Sequence, residues 1–210
     1  MKRRELIRTG TIVGLTGVAG CLEGSDEMVF TEGFEDGLGD WEPNAAIGPE
    51  VDIEEFEWDV DVSEREAAEG ERSLRVWNQG DYDDGVTWAV HPIGIESGQA
   101  YEIEVTGQFW SESESFNTIR DAVMRLGIEP PTVEEDFPHP GVNTTELGET
   151  TYGGLREPLW LADGWRTYRF EWTTPELSSG TLYLAVGTAV IWETDATHYI
   201  DDLAVRVEPR

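Results

Sequence analysis

The feature that most constrains the fold of this chain is a period of two in its apolar residues. Between residues 101 and 109 apolar and polar side chains alternate almost without interruption, as in a strand that buries one face. The same pattern predicts strands at residues 73–77, 86–91, 167–172, 181–186 and 199–207, separated by turns rich in Gly, Pro, Ser or Asp. Helical periodicity is nearly absent. The pattern therefore predicts an all-β fold, a β-sandwich of the jelly-roll type.

Residues 1–20 are typical of a signal peptide. Three basic residues at positions 2–4 precede an uncharged run of small or apolar residues at 11–19, which is too short to span a bilayer. Adjacent arginines followed by Glu5, Leu6 and Ile7 resemble the twin-arginine signal, which exports folded proteins, although Phe is commoner at the position of Leu6. The segment predicts export.

The end of this segment resembles a lipobox. Residues 17–21 read Gly-Val-Ala-Gly-Cys, and Cys21, the only cysteine of the chain, would become a lipidated amino terminus. The alternative is an incidental cysteine near a cleavage site. If Cys21 is lipidated, residues 21–27 form a polar tether, and lipid chains hold the protein on the outer face of the cell membrane.

The charge of the chain limits both its partners and its solvent. With 14 basic and 44 acidic residues the net charge is −30, which excludes a bare nucleic-acid binder. Such a charge repels itself at low salt, so the composition resembles that of exported proteins of extreme halophiles. A disordered acidic tail is excluded because 39% of the residues are hydrophobic and 10% are aromatic.

The mature chain is expected to form one domain, at residues 28–207, with an insertion at residues 111–163. Prolines at positions 130, 131, 138 and 140 interrupt the middle of that insertion, and a structureless loop of this length is either functional or wrongly interpreted. Asn143 begins an Asn-Thr-Thr sequon, which predicts glycosylation and exposure of part of the insertion.

Four pieces of the domain resemble a known family. Residues 30–41, 69–76, 97–101 and 199–205 are similar, in this order, to the opening strand, a small-Gly-x-x-Ser-Leu strand, a turn into a central strand and the closing strand of that family. The family comprises the calcium-containing jelly-roll carbohydrate-binding modules, galactose-binding-like in fold, that are attached to xylanases and related glycanases. The resemblance implies non-catalytic glycan binding, and residues 111–163 do not align with it.

A structural calcium ion is implied by the same resemblance. Calcium prefers carboxylate and backbone oxygens, and the first and last strands of a jelly roll lie side by side. If Leu203 faces the core, alternation turns Asp201 inward, where a carboxylate needs a partner. The resemblance implies Glu35 as the opposing ligand, and Asp202 completes the predicted set. The alternative is that Asp201 caps the turn at residues 197–198.

The nine tryptophans suggest where a ligand binds. Trp41, Trp165 and Trp172 are expected in the core. Alternation places Trp77 and Trp110 on the opposite face, where a flat indole matches the C–H face of a pyranose ring. The alternative is that the long insertion folds over both and makes a second small core. The residues predicted to form a sugar site are Trp77, Trp110, Gln108, Asn78, Tyr82 and Trp192.

No catalytic centre is supported by the sequence, so an enzyme is not favoured. With 44 acidic residues, carboxylate pairs suited to glycoside hydrolysis arise by chance. The three histidines lack the spacing of a metal centre, and nucleophile or phosphate-loop motifs are missing from the sequence. The leading hypothesis is a surface-anchored glycan-binding lipoprotein, whose partner is polysaccharide or envelope glycan. The alternatives are a structural or adhesive envelope domain and a small glycan hydrolase or lyase.

Overall fold

The computed structural model describes residues 27–48, 51–80, 85–111, 119–146, 150–159, 164–192 and 195–210. These residues form strands connected by turns and three single-turn 3-10 helices. No helix within these ranges is long and apolar enough to span a membrane. The strands are β1 (Met28–Glu32), β2 (Glu42–Ala46), β3 (Trp58–Ser63), β4 (Ser73–Asn78), β5 (Val86–Gly94), β6 (Tyr101–Ser111), β7 (Ile119–Gly127), β8 (Val142–Asn143), β9 (Tyr152–Pro158), β10 (Arg166–Thr173), β11 (Thr181–Trp192) and β12 (Ala196–Pro209).

The strands pair into two antiparallel sheets that pack face to face. The first, sheet A, has the order β10-β6-β12-β4-β3, with β1 also paired to β12; the second, sheet B, has the order β2-β5-β11-β7-β9-β8. The predicted all-β jelly-roll sandwich is confirmed, and every strand predicted from alternation is present. The first and last strands are neighbours, as the fold requires, since β1 pairs with β12 from Met28 opposite Val207 to Glu32 opposite Leu203.

The core lies between the sheets and is built from every second residue of each strand. Val105 and Phe109 contribute from sheet A, and Met124 and Leu184 contribute from sheet B, each with no exposed surface. Burying side chains of this size stabilises the fold by roughly 1.5–3 kcal/mol each. Trp41 and Trp172 belong to this core, as predicted, whereas Trp165 is only half-buried.

Much of the predicted insertion is regular structure of sheet B. It contributes β7, β8 and β9, and residues 128–141 cross the outer face of that sheet. Phe137 packs edge-on against Trp88 with ring centroids 5.1 Å apart. A second small core does form, but it covers Trp88 of sheet B and leaves Trp77 and Trp110 on the other sheet. Its buried residues are Ala46, Val86, Trp88, Val90, Val123, Phe137, Ala185 and Ala189.

Candidate functional site

A β-bulge in β12 determines where Asp201 points. Asp201 lies opposite Gln108 but Ala204 lies opposite Thr106, so β12 has one more residue than β6 between these pairs. Asp202 takes up the extra residue with a φ of 47°. Asp201 and Leu203 therefore lie on opposite faces. The expectation that Asp201 points inward beside Leu203 is wrong, because the bulge reverses the alternation; Asp201 lies on the outer face of sheet A.

Asp201 is nevertheless fully buried, because the connection between β3 and β4 folds over it. This connection, residues 64–72, is called the β3–β4 loop below. The backbone N–H groups of Ala68 and Glu69 donate to Asp201 Oδ2 at 2.8 and 3.1 Å. The N–H of Asp202 donates to Asp201 Oδ1 at 2.8 Å. Burial raises the pKa of Asp201, and these three hydrogen bonds act in the opposite direction. The carboxylate is thus the anchor of the loop.

Glu35 holds the other half of the β3–β4 loop. Its Oε1 accepts hydrogen bonds from the N–H groups of Glu71 at 2.8 Å and Arg72 at 3.0 Å. Arg72 Nη1 returns a bond to the Glu35 carbonyl at 3.1 Å. Gly70 permits this contact, since a Cβ at that position would lie 2.1 Å from Glu35 Oε1 and its φ is +66°. The turn that follows β1 and the middle of β12 therefore both hold the β3–β4 loop through hydrogen bonds.

The three residues predicted as calcium ligands border one cleft of about 260 Å³. Its oxygen-rich donors have the chemistry that a hard cation prefers. Asp201 and Glu35 already accept backbone N–H bonds, but each carboxylate has about four lone-pair sites, so both retain acceptor capacity. No cluster of three or more metal-ligating side chains occurs in the ranges the structure covers. The structure thus brings the predicted ligands to one cleft, and the binding of a cation there stays a prediction. The lining residues of the cleft are Thr31, Glu32, Gly33, Glu35, Glu69, Gly70, Asp201, Asp202 and Leu203.

Two of the predicted sugar-binding tryptophans lie together on the outer face of sheet A. Trp110 is opposite Tyr199, with ring centroids 5.5 Å apart, and Tyr199 is in turn opposite Arg75. Trp77, one row further along, is opposite Thr197 and Asp59. Both indoles are partly exposed. The prolines of the insertion pack on sheet B and do not cover them.

The other predicted sugar-site residues do not all share this face. Gln108 does, and its Nε2 donates to Asp202 Oδ2 at 3.4 Å. Asn78 does not, because it lies two residues after the core residue Val76 on β4 and so points to the same face as Val76. It is fully buried, and its Nδ2 donates to Thr87 Oγ1 at 3.2 Å. Tyr82 and the lipidation residue Cys21 lie outside the described residues, and Trp192 belongs to β11 of the other sheet, its side chain also outside that description.

Sequence reasoning missed a charged cluster within the insertion. Arg156 contacts Asp121 at 3.1 Å and Glu134 at 2.8 Å, and Asp121 is only 2% exposed. Burial raises the pKa of Asp121, while the neighbouring guanidinium acts to lower it. One arginine thus holds both carboxylates and ties residues 128–141 to sheet B. No sequence signal marked this triad, since its members come from β7, β9 and the segment between β7 and β8.

The predicted glycosylation residue, Asn143, bridges the two sheets at one edge of the sandwich. Its Nδ2 donates to Glu157 Oε1 at 2.7 Å and to the Arg169 carbonyl at 3.0 Å. Its Oδ1 accepts the N–H of Thr145 at 3.1 Å. Glycosylation of Asn143 stays a prediction, and attaching a glycan to Nδ2 in the folded chain would remove one of its two N–H donors and so at least one of these bonds.

Comparisons with known proteins identify the fold. No protein-family model and no curated protein matches the chain. Among solved structures, the CBM22-1 xylan-binding domain of Xyn10C from Paenibacillus barcinonensis is similar with a TM-score of 0.51 and 14% identity, over 90% of this chain and 99% of that one. A cleaved adhesin domain of Lys-gingipain from Porphyromonas gingivalis is similar with a TM-score of 0.52 and 14% identity, over 87% and 99%. At these identities the likeness is one of fold.

Proposed function

We propose that this protein is a non-catalytic glycan-binding module that holds polysaccharide or envelope glycan against the outer face of sheet A. The observation that carries the proposal is the pair of partly exposed indoles, Trp77 and Trp110, on a face that residues 128–141 of the insertion leave uncovered. The likeness in fold to a domain described as xylan-binding supports the same class of ligand.

The chemistry of this face suits a pyranose chain. Each indole offers a flat apolar surface for the C–H face of one sugar ring. Gln108, Thr197 and Arg75 lie beside the indoles and supply amide, hydroxyl and guanidinium groups for the ring hydroxyls. Arg75 is paired with Asp59, so its charge is balanced locally. The face therefore combines stacking surfaces with neutral or neutralised polar groups.

The same proposal places the module on the outer surface of the cell membrane. Its support is the signal-like segment 1–20 and Cys21, which is followed by only six residues before β1 begins at Met28. Stable anchoring of this kind requires about two lipid chains. A module so tethered would bring polysaccharide close to the membrane.

Replacing Trp110 or Trp77 by alanine is expected to weaken glycan binding by about 30-fold, because truncating an aromatic residue that the bound ligand covers costs about 2 kcal/mol. A glycan array at molar salt identifies a ligand, and isothermal titration calorimetry then measures the dissociation constant of each variant. Tyr183→Ala is the control, since Tyr183 is a partly buried aromatic residue of sheet B. Weaker binding by Tyr183→Ala, with both tryptophan variants unaffected, would place the ligand on sheet B and refute the proposal.

We further propose that a calcium ion binds between Glu35 and Asp201 and has a structural role. Saturating calcium is expected to raise the melting temperature by roughly 5–10 °C over EDTA, since ligand at 100 times its dissociation constant adds about 2.7 kcal/mol. Differential scanning calorimetry at constant ionic strength measures the shift. Glu35→Gln should abolish it, whereas Glu42→Gln, on exposed β2, should retain it. Equal melting temperatures of the wild-type chain in calcium and in EDTA would refute the site.

A further inference from the structure

We propose that the β3–β4 loop is one wall of the glycan-binding face and that Asp201 is the residue that positions this wall. The inference rests on the glycan-binding function proposed above. It assigns Asp201 a role in ligand affinity, in addition to holding the chain ends together.

The register of sheet A shows where the loop stands relative to the indoles. On the outer face, Gln108 and Asp201 form one row across the strands, and continuing the pairing of β12 with β4 adds Ser73 to it. Trp110, Tyr199 and Arg75 form the next row. Neighbouring rows on one face of a sheet are about 7 Å apart. Whatever stands on the first row therefore borders the row of Trp110.

The β3–β4 loop stands on that first row. Ala68 and Glu69 donate their N–H groups to Asp201, and Ser73 Oγ donates to the Glu66 carbonyl at 2.5 Å. Asp201 and Ser73 are both fully buried in consequence. Tyr199, in the neighbouring row, is also fully buried although it lies on the outer face. The loop therefore covers Asp201 and Ser73, in the row next to that of Trp110.

Asp201 is the residue best placed to determine the position of this loop. Its carboxylate contacts the centre of the loop, whereas Glu35 contacts the end nearest β4. A carboxylate is the only side chain of this size that accepts all three N–H bonds at once, because an amide presents one acceptor oxygen and one NH₂ group. The bulge is what allows a buried β12 carboxylate to face outward at this point.

The test compares Asp201→Asn and Ser73→Ala with the wild-type full-length chain, using the glycan found by array. Each variant is expected to bind that glycan about 10-fold more weakly at 25 °C while its circular dichroism remains native. Hydrogen exchange of the amides of residues 64–72 should become faster in both. Phe137→Ala is the control, since it should lower the melting temperature from the other sheet without changing affinity. Glycan titrations in EDTA test whether Asp201→Asn still binds the glycan more weakly than wild type when no metal is present.

The outcomes separate the two proposals. If no glycan binds the wild-type chain, or if Trp77→Ala and Trp110→Ala both bind as tightly as wild type, glycan binding at this face is rejected and the positioning role with it. If Trp110→Ala weakens binding but Asp201→Asn and Ser73→Ala do not, only the positioning role is rejected. The loss of affinity of Asp201→Asn could instead disappear in EDTA while Ser73→Ala binds as tightly as wild type. That result would assign the effect to the cation and would also reject the positioning role. Should Asp201→Asn fail to fold, Ser73→Ala decides.

Discussion

Replacing Arg156 by methionine is expected to lower the free energy of unfolding by about 3–5 kcal/mol, because it leaves the Asp121 carboxylate buried without a cation. Asp121 is 2% exposed and lies 3.1 Å from Arg156, which also holds Glu134 of the segment covering sheet B. Chemical denaturation monitored by tryptophan fluorescence measures the loss. The double variant Arg156→Met/Asp121→Leu should recover most of it, since the unpaired charge is then removed.

The pH dependence of Arg156→Met gives a second check. Burial already raises the pKa of Asp121, and removing the guanidinium takes away the opposing influence. A carboxyl group whose pKa is higher in the folded than in the unfolded chain costs stability above its folded pKa, and that cost disappears as the pH falls toward the unfolded value. The deficit of Arg156→Met relative to wild type should therefore shrink in acid.

The control for Arg156→Met is Arg169→Met. Arg169 is 53% exposed and pairs on the surface with Glu104 and Glu171. Exposed pairs of this kind contribute about 0–1 kcal/mol. Equal losses for Arg156→Met and Arg169→Met, or a loss for Arg156→Met that does not depend on pH, would contradict the buried-triad explanation.

Replacing Gly187 by alanine is expected to destabilise the protein by about 3 kcal/mol. A Cβ at this position would lie 2.1 Å from the Thr87 carbonyl oxygen and 2.6 Å from Trp88 Cα, both in the adjacent strand β5. Backbone atoms cannot move aside as the end of a flexible side chain can, so β5 and β11 would have to separate. Thermal unfolding measures the effect, expected to be a melting temperature lower by roughly 6–12 °C.

Gly94→Ala is the matched control for Gly187→Ala. Gly94 lies in the same pair of strands, opposite Thr181, and a Cβ there would meet no atom within 4 Å. Its melting temperature should stay close to that of the wild-type chain. If Gly187→Ala lowers the melting temperature no more than Gly94→Ala does, then β5 and β11 are not packed closely enough at Gly187 to exclude a Cβ. Since Trp88 belongs to β5 and Phe137 packs against it, Gly187→Ala should also loosen the contact of residues 128–141 with sheet B.

The two outer faces of the sandwich differ in a way that bears on function. The outer face of sheet B is covered by residues 128–141, and its aromatic residues Trp88 and Phe137 are buried. The outer face of sheet A keeps Trp77 and Trp110 partly exposed. The β3–β4 loop and the cleft proposed to bind calcium border this second face. We therefore expect ligand binding, loop position and the junction of the chain ends to be coupled on sheet A.

Local patterns in the sequence were sufficient to predict the architecture. A period of two needs only neighbouring residues to be recognised, so it identified β6 and the closing strand β12 and assigned Trp77 and Trp110 to the face opposite Val76 and Phe109. It could also have excluded Asn78 from that surface, because Asn78 shares the parity of Val76.

Three features depended on contacts between residues distant in the chain. The bulge at Asp202 reversed the direction of Asp201, and a bulge is visible only in the pairing of two strands. The proline-containing segment covered Trp88 and not Trp110, because β7 and β9 joined sheet B. Arg156 met Asp121 through the register of these same strands. The sequence by itself determined the strands β4, β5, β6, β10, β11 and β12 and, away from the bulge, which face each turns to the core. Only the tertiary structure decided which faces are covered, because covering depends on how distant segments pair.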